Sequence, residues 1–217
     1  MKTAGQRAED LINPDMESAR IAEAVAALRA GEVVVCPTET FYALAADSRL
    51  PGSLEKIFEL KGRDAAKTIA LIAADATMAF SIAREVPHRA RRLARKFWPG
   101  PLTLVMPARH DLPKALIGPD GGVGVRVSPD PIASALALAL GASITATSAN
   151  LSGAPPAVTL APVRQAFGGK IKIMLDGGRL PGGAPSTLVA CRAHGYEILR
   201  EGAISRDAIA AALADEV

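Results

Sequence analysis

Apolar residues recur at helical spacing over residues 17–29, where Ile21, Val25 and Leu28 share one face. A short β-branched run follows at residues 33–36. Continuous apolar runs of this length are typical of strands that are buried on both faces. The pattern therefore predicts a helix that leads into an interior strand.

A second helix is predicted over residues 54–61, with Ser53 as its N-terminal cap. Strand and helix patterns alternate downstream, which favours an α/β fold. The strand patterns at 102–106 and 123–127 follow each other without a helix between them, so we expect a mixed sheet. Further strand patterns cover 68–73, 144–146, 171–175 and 196–199, and further helical patterns cover 75–83, 87–97, 131–140 and 205–213.

The composition is that of a folded globular protein, because 49% of the 217 residues are apolar and 22% are charged. The stretch at 177–185, rich in Gly and Pro, is interpreted as a loop near a site within a single domain. No apolar run reaches the roughly 18 residues of a membrane-spanning helix. Acidic residues stand where an export signal needs an apolar stretch, so we expect a cytoplasmic location without membrane association. Cys36 and Cys191 are expected to be reduced and buried.

Charge is unevenly distributed, although the net charge is only +3. Residues 61–126 carry 12 basic and 5 acidic side chains, whereas residues 127–217 carry 7 of each. Much of the excess lies on the predicted helix at 87–97, which suits a solvated helical face or a basic surface that attracts nucleotide or RNA. Few aromatic residues lie near this helix in the sequence, so stacking on nucleobases has little support.

Polar side chains leave two of the buried strands at their carboxyl ends, where ligands commonly bind in open α/β sheets. Thr38 follows the strand at 33–36, and Ser148 and Asn150 follow the strand at 144–146. Two interpretations remain open for these groups, as turn formers or as ligands of a nucleotide.

Lys61 and Arg63 lie at or just beyond the end of the predicted helix at 54–61. Cations stabilise a helix C-terminus, and two strong donors also suit phosphate. Together with the polar loop at 147–150, they indicate a site for an anionic nucleotide.

Arg126 is a single guanidinium within the apolar strand at 123–127, where an unpaired charge is costly. Either an internal carboxylate or the carboxylate of a substrate is expected to pair with it. Trp98, before the strand at 102–106, is expected to have a packing role. The histidines and cysteines lack the spacing of a structural zinc site.

Taken in order, these segments resemble the YrdC/Sua5 family of threonylcarbamoyl-AMP synthases. The resemblance extends from about residue 17 to residue 209. We therefore expect a YrdC-like domain at 17–209, an N-terminal extension at 1–16 and a C-terminal tail at 210–217. It is carried by PTETFYAL (37–44), KGR (61–63), WPGPLTLV (98–105), GVRV (124–127), TSANLSG (147–153), DGG (176–178), ST (186–187) and REGAI (200–204).

The resemblance implies a twisted sheet flanked by helices, with a large, positively charged concave site. It implies a nucleotidyltransferase that makes threonylcarbamoyl-AMP from L-threonine, bicarbonate and ATP, with release of pyrophosphate, for threonylcarbamoyladenosine (t6A) in tRNA. Mg²⁺ would be carried by the ATP phosphates, without a metal site on the protein. The implied macromolecular partners are tRNA or double-stranded RNA and the t6A-pathway proteins that receive the intermediate.

Roles for eight residues follow from the resemblance. Lys61 and Arg63 would be catalytic. Ser148, Asn150 and Arg200 would bind ATP together with that pair, while Thr38, Arg126 and Ser186 would bind threonine.

The sequence departs from the family pattern between residues 43 and 72. Ala43 replaces a Gly, Asp64 a Pro, Thr68 the Pro of a Pro-Leu pair, and Ile72 a His found in many members. We expect Ala43 to matter if its turn requires a positive φ, because a Cβ penalises that conformation. We also expect Asp64 to compete with phosphate for the neighbouring cations, and Ile72 to lack a polar contact on the threonine side.

Two alternative functions remain at this stage. One is a non-catalytic YrdC-like protein that binds RNA or nucleotide, for which salt-sensitive RNA binding without turnover would be diagnostic. The other is a related enzyme that acts on a different small acid, which a comparison of amino acids in a pyrophosphate-release assay would identify.

Overall fold

The computed structural model describes residues 14–62 and 68–214. None of the described helices is both long and apolar enough to cross a membrane. The α-helices, in chain order, are α1 (Pro14–Arg29), α2 (Pro51–Lys61), α3 (Ala76–Ser81), α4 (His88–Phe97), α5 (Pro131–Leu140), α6 (Leu160–Phe167) and α7 (Arg206–Leu213). The strands are β1 (Val34–Cys36), β2 (Ala43–Ala45), β3 (Leu71–Ala73), β4 (Leu102–Pro107), β5 (Gly122–Val127), β6 (Ile144–Thr145), β7 (Thr147–Ser148), β8 (Thr187–Arg192) and β9 (Gly195–Arg200).

Six strands form a mixed sheet in the order β6-β3-β5-β4-β8-β9. The pairs β3/β5 and β4/β8 are parallel, and the other neighbours are antiparallel. The consecutive strands β4 and β5 pair antiparallel, with a short 3-10 helix (Lys114–Leu116) between them. The expected α/β fold with a mixed sheet and flanking helices is confirmed.

A smaller antiparallel sheet, in the order β1-β2-β7, lies beside the first. Residues 171–175, predicted as a strand, do not form one. Met174 instead makes a single parallel bridge with Val35, supported by hydrogen bonds from Val35 N to Ile173 O and from Leu175 N to Val35 O. The segment is extended, but it contacts β1 over too short a length for a continuous ladder.

Helix α2 begins earlier than predicted, and the assignment of Ser53 as its cap was wrong. Leu50 occupies the N-cap position without a side-chain hydrogen bond, and Pro51 starts the helix, where its missing N–H costs nothing. Ser53 is buried within the first turn, and its Oγ has no hydrogen-bond partner among the described residues. Gly62 ends the helix in the left-handed conformation with φ of 56°.

The buried side chains form two apolar clusters. In one, Leu71, Leu104 and Val125 of the large sheet pack with residues of α2, α4 and α7. In the other, α1 and α5 contribute Leu28 and Leu136, which lie against the apolar side chains of β1, β2 and β6. The helices thus lie on the sheets by the faces that their apolar spacing predicted.

Cys36 and Cys191 are both free thiols and both fully buried, in agreement with the sequence expectation. Burial raises the pKa of each thiol from its ordinary value of 9.0 to about 12.

We predict that neither thiol reacts with a disulfide reagent at pH 8 in the native protein, and that both react after unfolding. Because the unfolded thiols ionise first, their contribution to stability should decline as the pH rises from about 9 towards 12. Immediate reaction of either thiol with the disulfide reagent in the folded protein would contradict this prediction.

Candidate functional site

A cavity of about 830 Å³ opens on one face of the six-stranded sheet, a volume that suits a small-molecule ligand. Its wall includes cationic side chains at Arg84, Arg109 and Lys114 and a carboxylate at Asp120. It also includes five of the eight residues predicted from the sequence, namely Thr38, Arg126, Ser148, Ser186 and Arg200.

Alternation along β5 brings Arg126 to the cavity. Gly122, Gly124 and Arg126 line it, whereas the intervening Val123 and Val125 are fully buried on the opposite face. Two glycines beside the guanidinium leave room for a ligand above this part of the sheet.

Arg126 is paired with an internal carboxylate, as one of the two sequence interpretations required. Its Nη1 lies 3.2 Å from Glu39 Oε1, and both side chains are nearly 90% buried, at 11% and 12% exposure. Ser128 Oγ donates a hydrogen bond of 2.6 Å to Glu39 Oε2. Glu39 belongs to the turn after β1, so a contact between distant segments fixes the guanidinium.

The other edge of the Arg126 guanidinium is not satisfied in the same way. Arg126 Nε is buried and has no hydrogen-bond partner among the described residues. Burial lowers the pKa of Arg126, and the neighbouring Arg200 lowers it further, while Glu39 acts in the opposite direction. A buried donor without a partner costs about 1–3 kcal/mol. A ligand carboxylate in the cavity would remove this penalty.

Lys61 joins the end of α2 to the polar loop after β7. Its buried ammonium group donates to the carbonyl oxygens of Ser148 and Asn150, and it lies 3.4 Å from Asn150 Oδ1. The backbone N–H of Ser152 donates to Lys61 O, and Ser148 Oγ donates to Asn150 Oδ1. Lys61 therefore contacts this loop from beneath and does not line the cavity, whereas Ser148 does. The predicted contact of Lys61 with phosphate stays a prediction.

Arg63 and Asp64 lie outside the described residues, so their predicted roles stay predictions. Ala43 is in β2, and no described residue other than glycine has a positive φ, so the conformational penalty expected at Ala43 does not arise. Ile72 is fully buried in the cluster formed with α1 and α5, and it does not line the cavity. Ile72 is nevertheless the register partner of Arg126 in the parallel pair β3/β5, so the expected loss of a polar contact there stays a prediction.

Thr103, Ser186 and Arg200 form a hydrogen-bonded chain on the cavity wall. Ser186 Oγ lies 2.8 Å from Thr103 Oγ1, and Arg200 Nη2 donates to Ser186 O at 2.9 Å and is 3.3 Å from its Oγ. Ser186 and Arg200, which the resemblance assigned to different ligands, are thus in direct contact. Two ligand subsites would meet at this point.

Thr187 fixes the backbone on either side of this chain. Its Oγ1 donates to Ile204 O and accepts hydrogen bonds from the backbone N–H groups of Gly202 and Ile204. Gly202 is needed here because a Cβ would stand 2.1 Å from Pro185 O and 2.8 Å from the carbonyl carbon of Ser186. Close backbone approach therefore holds Ser186 against Arg200.

We predict that Gly202→Ala destabilises the protein by about 3 kcal/mol, because the new Cβ meets only backbone atoms, which cannot yield as side chains do. Urea unfolding measures the effect. Gly169→Ala is the matched control, since a Cβ there has no atom within 4 Å and should be neutral. Equal stability of the two variants would contradict the role assigned to Gly202.

Thr38 and Tyr42 organise the loops beside the cavity. Thr38 Oγ1 donates to Phe41 O at 2.7 Å and accepts from the backbone N–H of Thr40, so it is a turn former that also lines the cavity. The Tyr42 hydroxyl donates to Gly178 O at 2.7 Å and accepts from the N–H of Gly177. Its burial raises the pKa of Tyr42 to about 12. Tyr42 thereby ties the loop at 177–185 to β2.

A model of the Sua5/YciO/YrdC family, described as telomere recombination, matches residues 26–202. The chain belongs to this family. The match spans both sheets and every predicted site residue.

Family relatives agree with this membership. The chain is 37% identical over 158 residues to a threonylcarbamoyl-AMP synthase of Nitrosococcus oceani, covering 73% of this chain and 85% of that protein. It is 36% identical to a threonylcarbamoyl-AMP synthase of Bacillus subtilis, covering 89% of this chain and 56% of the relative. The structure of Pyrococcus abyssi Sua5 complexed with L-threonine matches with a TM-score of 0.84 and 35% identity, over 89% of this chain and 57% of Sua5. The chain therefore spans little more than half the length of the latter two proteins.

Within this Sua5/YciO/YrdC domain, sequence reasoning missed several residues that hold the site together. These residues make contacts, across long distances in the sequence, that fix a predicted residue or a loop beside the cavity. They are Glu39, Thr103, Thr187 and Tyr42. The one available signal was the buried cation of Arg126, which required a carboxylate without specifying which. Among the described residues, no group of three or more His, Cys, Asp or Glu side chains could hold a metal ion.

Proposed function

We propose that this protein makes threonylcarbamoyl-AMP from L-threonine, bicarbonate and ATP, with release of pyrophosphate. The observation that carries the proposal is the shared cavity, in which a buried guanidinium with an unsatisfied Nε lies near a hydroxyl-rich wall and a second arginine. Relatives named threonylcarbamoyl-AMP synthase, at 36–37% identity, support it.

Arg126 binds the threonine carboxylate in this proposal. Glu39 occupies the Nη1 edge, so the Nε edge remains for the ligand. A carboxylate there gains a charge-assisted hydrogen bond and satisfies a buried donor. Thr38 and Ser186 then border the same amino acid, and the complex of Pyrococcus abyssi Sua5 with L-threonine is consistent with such a ligand.

The ATP phosphates lie between the loop at 147–150 and Arg200. Ser148 provides a hydroxyl on the cavity wall, where Asn150 accepts its hydrogen bond, Arg200 provides positive charge, and Lys61 fixes the loop. Arg63 is proposed to act on the phosphates, on the family resemblance. Mg²⁺ arrives with ATP, bound to its phosphates.

The chemistry asks the protein mainly for positioning and neutralisation of charge. The neutral threonine amine adds to the carbon of bicarbonate and, with loss of water, gives a carbamate. A carbamate oxygen then attacks the α-phosphorus of ATP. The bond from that phosphorus to the bridging oxygen breaks, and pyrophosphate leaves with the electron pair of this bond. The contact between Ser186 and Arg200 supports this sequence, because it joins the amino-acid and phosphate subsites.

The product would serve formation of t6A in tRNA, and t6A-pathway proteins would receive it in the cytoplasm. A cavity wall that carries Arg84, Arg109, Lys114, Arg126 and Arg200 supports attraction of an anionic substrate. The same charge would attract tRNA or double-stranded RNA.

The test is mass spectrometry on purified protein with ATP, magnesium, bicarbonate and L-threonine. Threonine-dependent threonylcarbamoyl-adenylate and pyrophosphate are expected. Turnover with another amino acid in preference to threonine would indicate a related enzyme for a different small acid. ATP binding without any product would indicate a non-catalytic binding protein, an alternative that the relatives named as synthases do not favour.

A further inference from the structure

A second groove, of about 560 Å³, lies on the other face of the large sheet from the cavity. Val127 lines the groove, whereas its neighbour Arg126 lines the cavity, and the two sites have no lining residue in common. Helices α3 and α4 form its walls. The proposed synthase reaction makes no use of it.

The groove brings together an aromatic ring of α3 and one that directly follows the basic helix α4. Phe80 of α3 and Trp98, just after α4, lie with ring centroids 5.7 Å apart and planes inclined by 34°. Trp98 is half-buried, and its Nε1 donates to Leu102 O at 2.7 Å, so the ring is held in place. Two of the few aromatic residues near this helix in the sequence thus lie together in the groove.

Cations line the same groove. The Arg91 guanidinium lies over the Phe80 ring, 5.2 Å from its centroid, and Arg95 stands one turn further along α4. Both side chains are exposed, and neither forms an ion pair within the described part of the chain. Asp75 is the one carboxylate among the lining residues, and its Oδ1 accepts a hydrogen bond from the N–H of Met78.

We propose that this groove binds single-stranded nucleic acid, with a base stacked on Trp98 and adjacent phosphates at Arg91 and Arg95. Proteins that bind single strands typically combine fixed aromatic rings with a neighbouring row of basic side chains. Arg91 and Arg95 are about 6 Å apart along the helix, so both can contact one bound strand. Helix α4 contains no acidic residue to oppose such a strand.

Trp98 is the only tryptophan of the chain, so its intrinsic fluorescence reports on the groove directly. The full chain is titrated with a short single-stranded oligoribonucleotide, and quenching of Trp98 is expected. An abasic oligomer of equal charge should bind at least about tenfold more weakly, because each stacked base contributes substantially. A plot of log Kd against log salt concentration should have a slope of about 1.4, as expected for two neutralised phosphates of a single strand.

Substitution separates this groove from other basic surfaces. Arg91→Ala with Arg95→Ala should remove most of the salt dependence and weaken binding at least about tenfold, and Phe80→Leu should reduce the difference between the normal and abasic oligomers. Arg164→Ala with Lys170→Ala, at exposed positions on and after α6, is the matched control and should bind normally. Circular dichroism verifies the fold of each variant, and the arginine pair alone suffices for the test if Phe80→Leu does not fold.

The proposal would be overturned by unchanged affinity in the arginine double variant, by equal binding of the abasic oligomer, or by stronger quenching of Trp98 with double-stranded RNA than with the single strand. Quenching by AMP with the affinity of the oligomer would also overturn it, since the groove would then be a mononucleotide site. Neither the proposal nor its test depends on synthase activity.

Discussion

Replacing Lys61 with alanine is expected to reduce the proposed formation of threonylcarbamoyl-AMP by about 100-fold or more, because a small displacement of binding groups is costly to turnover. The ammonium group donates to two carbonyl oxygens of the loop, at Ser148 and Asn150, and its loss leaves both without that donor. The free energy of unfolding should also fall by about 2 kcal/mol. Product formation is measured by mass spectrometry, and stability by urea unfolding.

Lys56→Ala is the matched control on the same helix. Lys56 Nζ bonds Gly31 O and Glu32 Oε1 at the surface, with the lysine side chain 44% exposed. A surface pair of this kind contributes about 0.5 kcal/mol to the free energy of unfolding. The turnover of the Lys56→Ala variant should be unchanged. Near-normal turnover in Lys61→Ala would be incompatible with its proposed role.

Replacing Arg126 with leucine should raise the KM for threonine by roughly 100-fold while the KM for ATP changes little, since a charge-assisted bond to the carboxylate is lost. It should also destabilise the fold by about 3 kcal/mol, because Glu39 becomes a buried carboxylate without its partner. Steady-state kinetics with each substrate varied in turn gives the first result, and urea unfolding the second.

A double variant separates the two effects. Glu39→Gln in the Arg126→Leu background removes the stranded charge, so stability should recover in part while the use of threonine does not. If Arg126→Leu alone retained a normal KM for threonine, the guanidinium would serve only to pair with Glu39.

The fold was predictable where local pattern and packing agree. The apolar face of α5 and the β-branched run of β1 lie where their spacing indicated. Strand β2 was missed because Ala43, Leu44 and Ala45 carry no β-branched signal, and their conformation comes from pairing with β1 and β7. Residues 171–175 had the signal without a partner of sufficient length.

The candidate site was predictable in its members and not in its connections. The strand pattern identified Arg126 as a buried charge, but Glu39 lies 87 positions earlier in the chain and could not be singled out. Likewise, the sequence assigned both Lys61 and Ser148 to a nucleotide site. The structure shows that the lysine supports the loop from below. Such contacts depend on tertiary geometry that short-range spacing does not encode.

The alternation along β5 also bears on how the chain folds. A shift of β5 by one residue would exchange the two faces, carrying Arg126 into the apolar side and a valine into the cavity. The guanidinium would then lie in an apolar core, away from Glu39, which is strongly unfavourable. The charge proposed for substrate binding therefore also penalises misregistered sheets, so its removal should allow more misfolding during refolding as well as weaker binding.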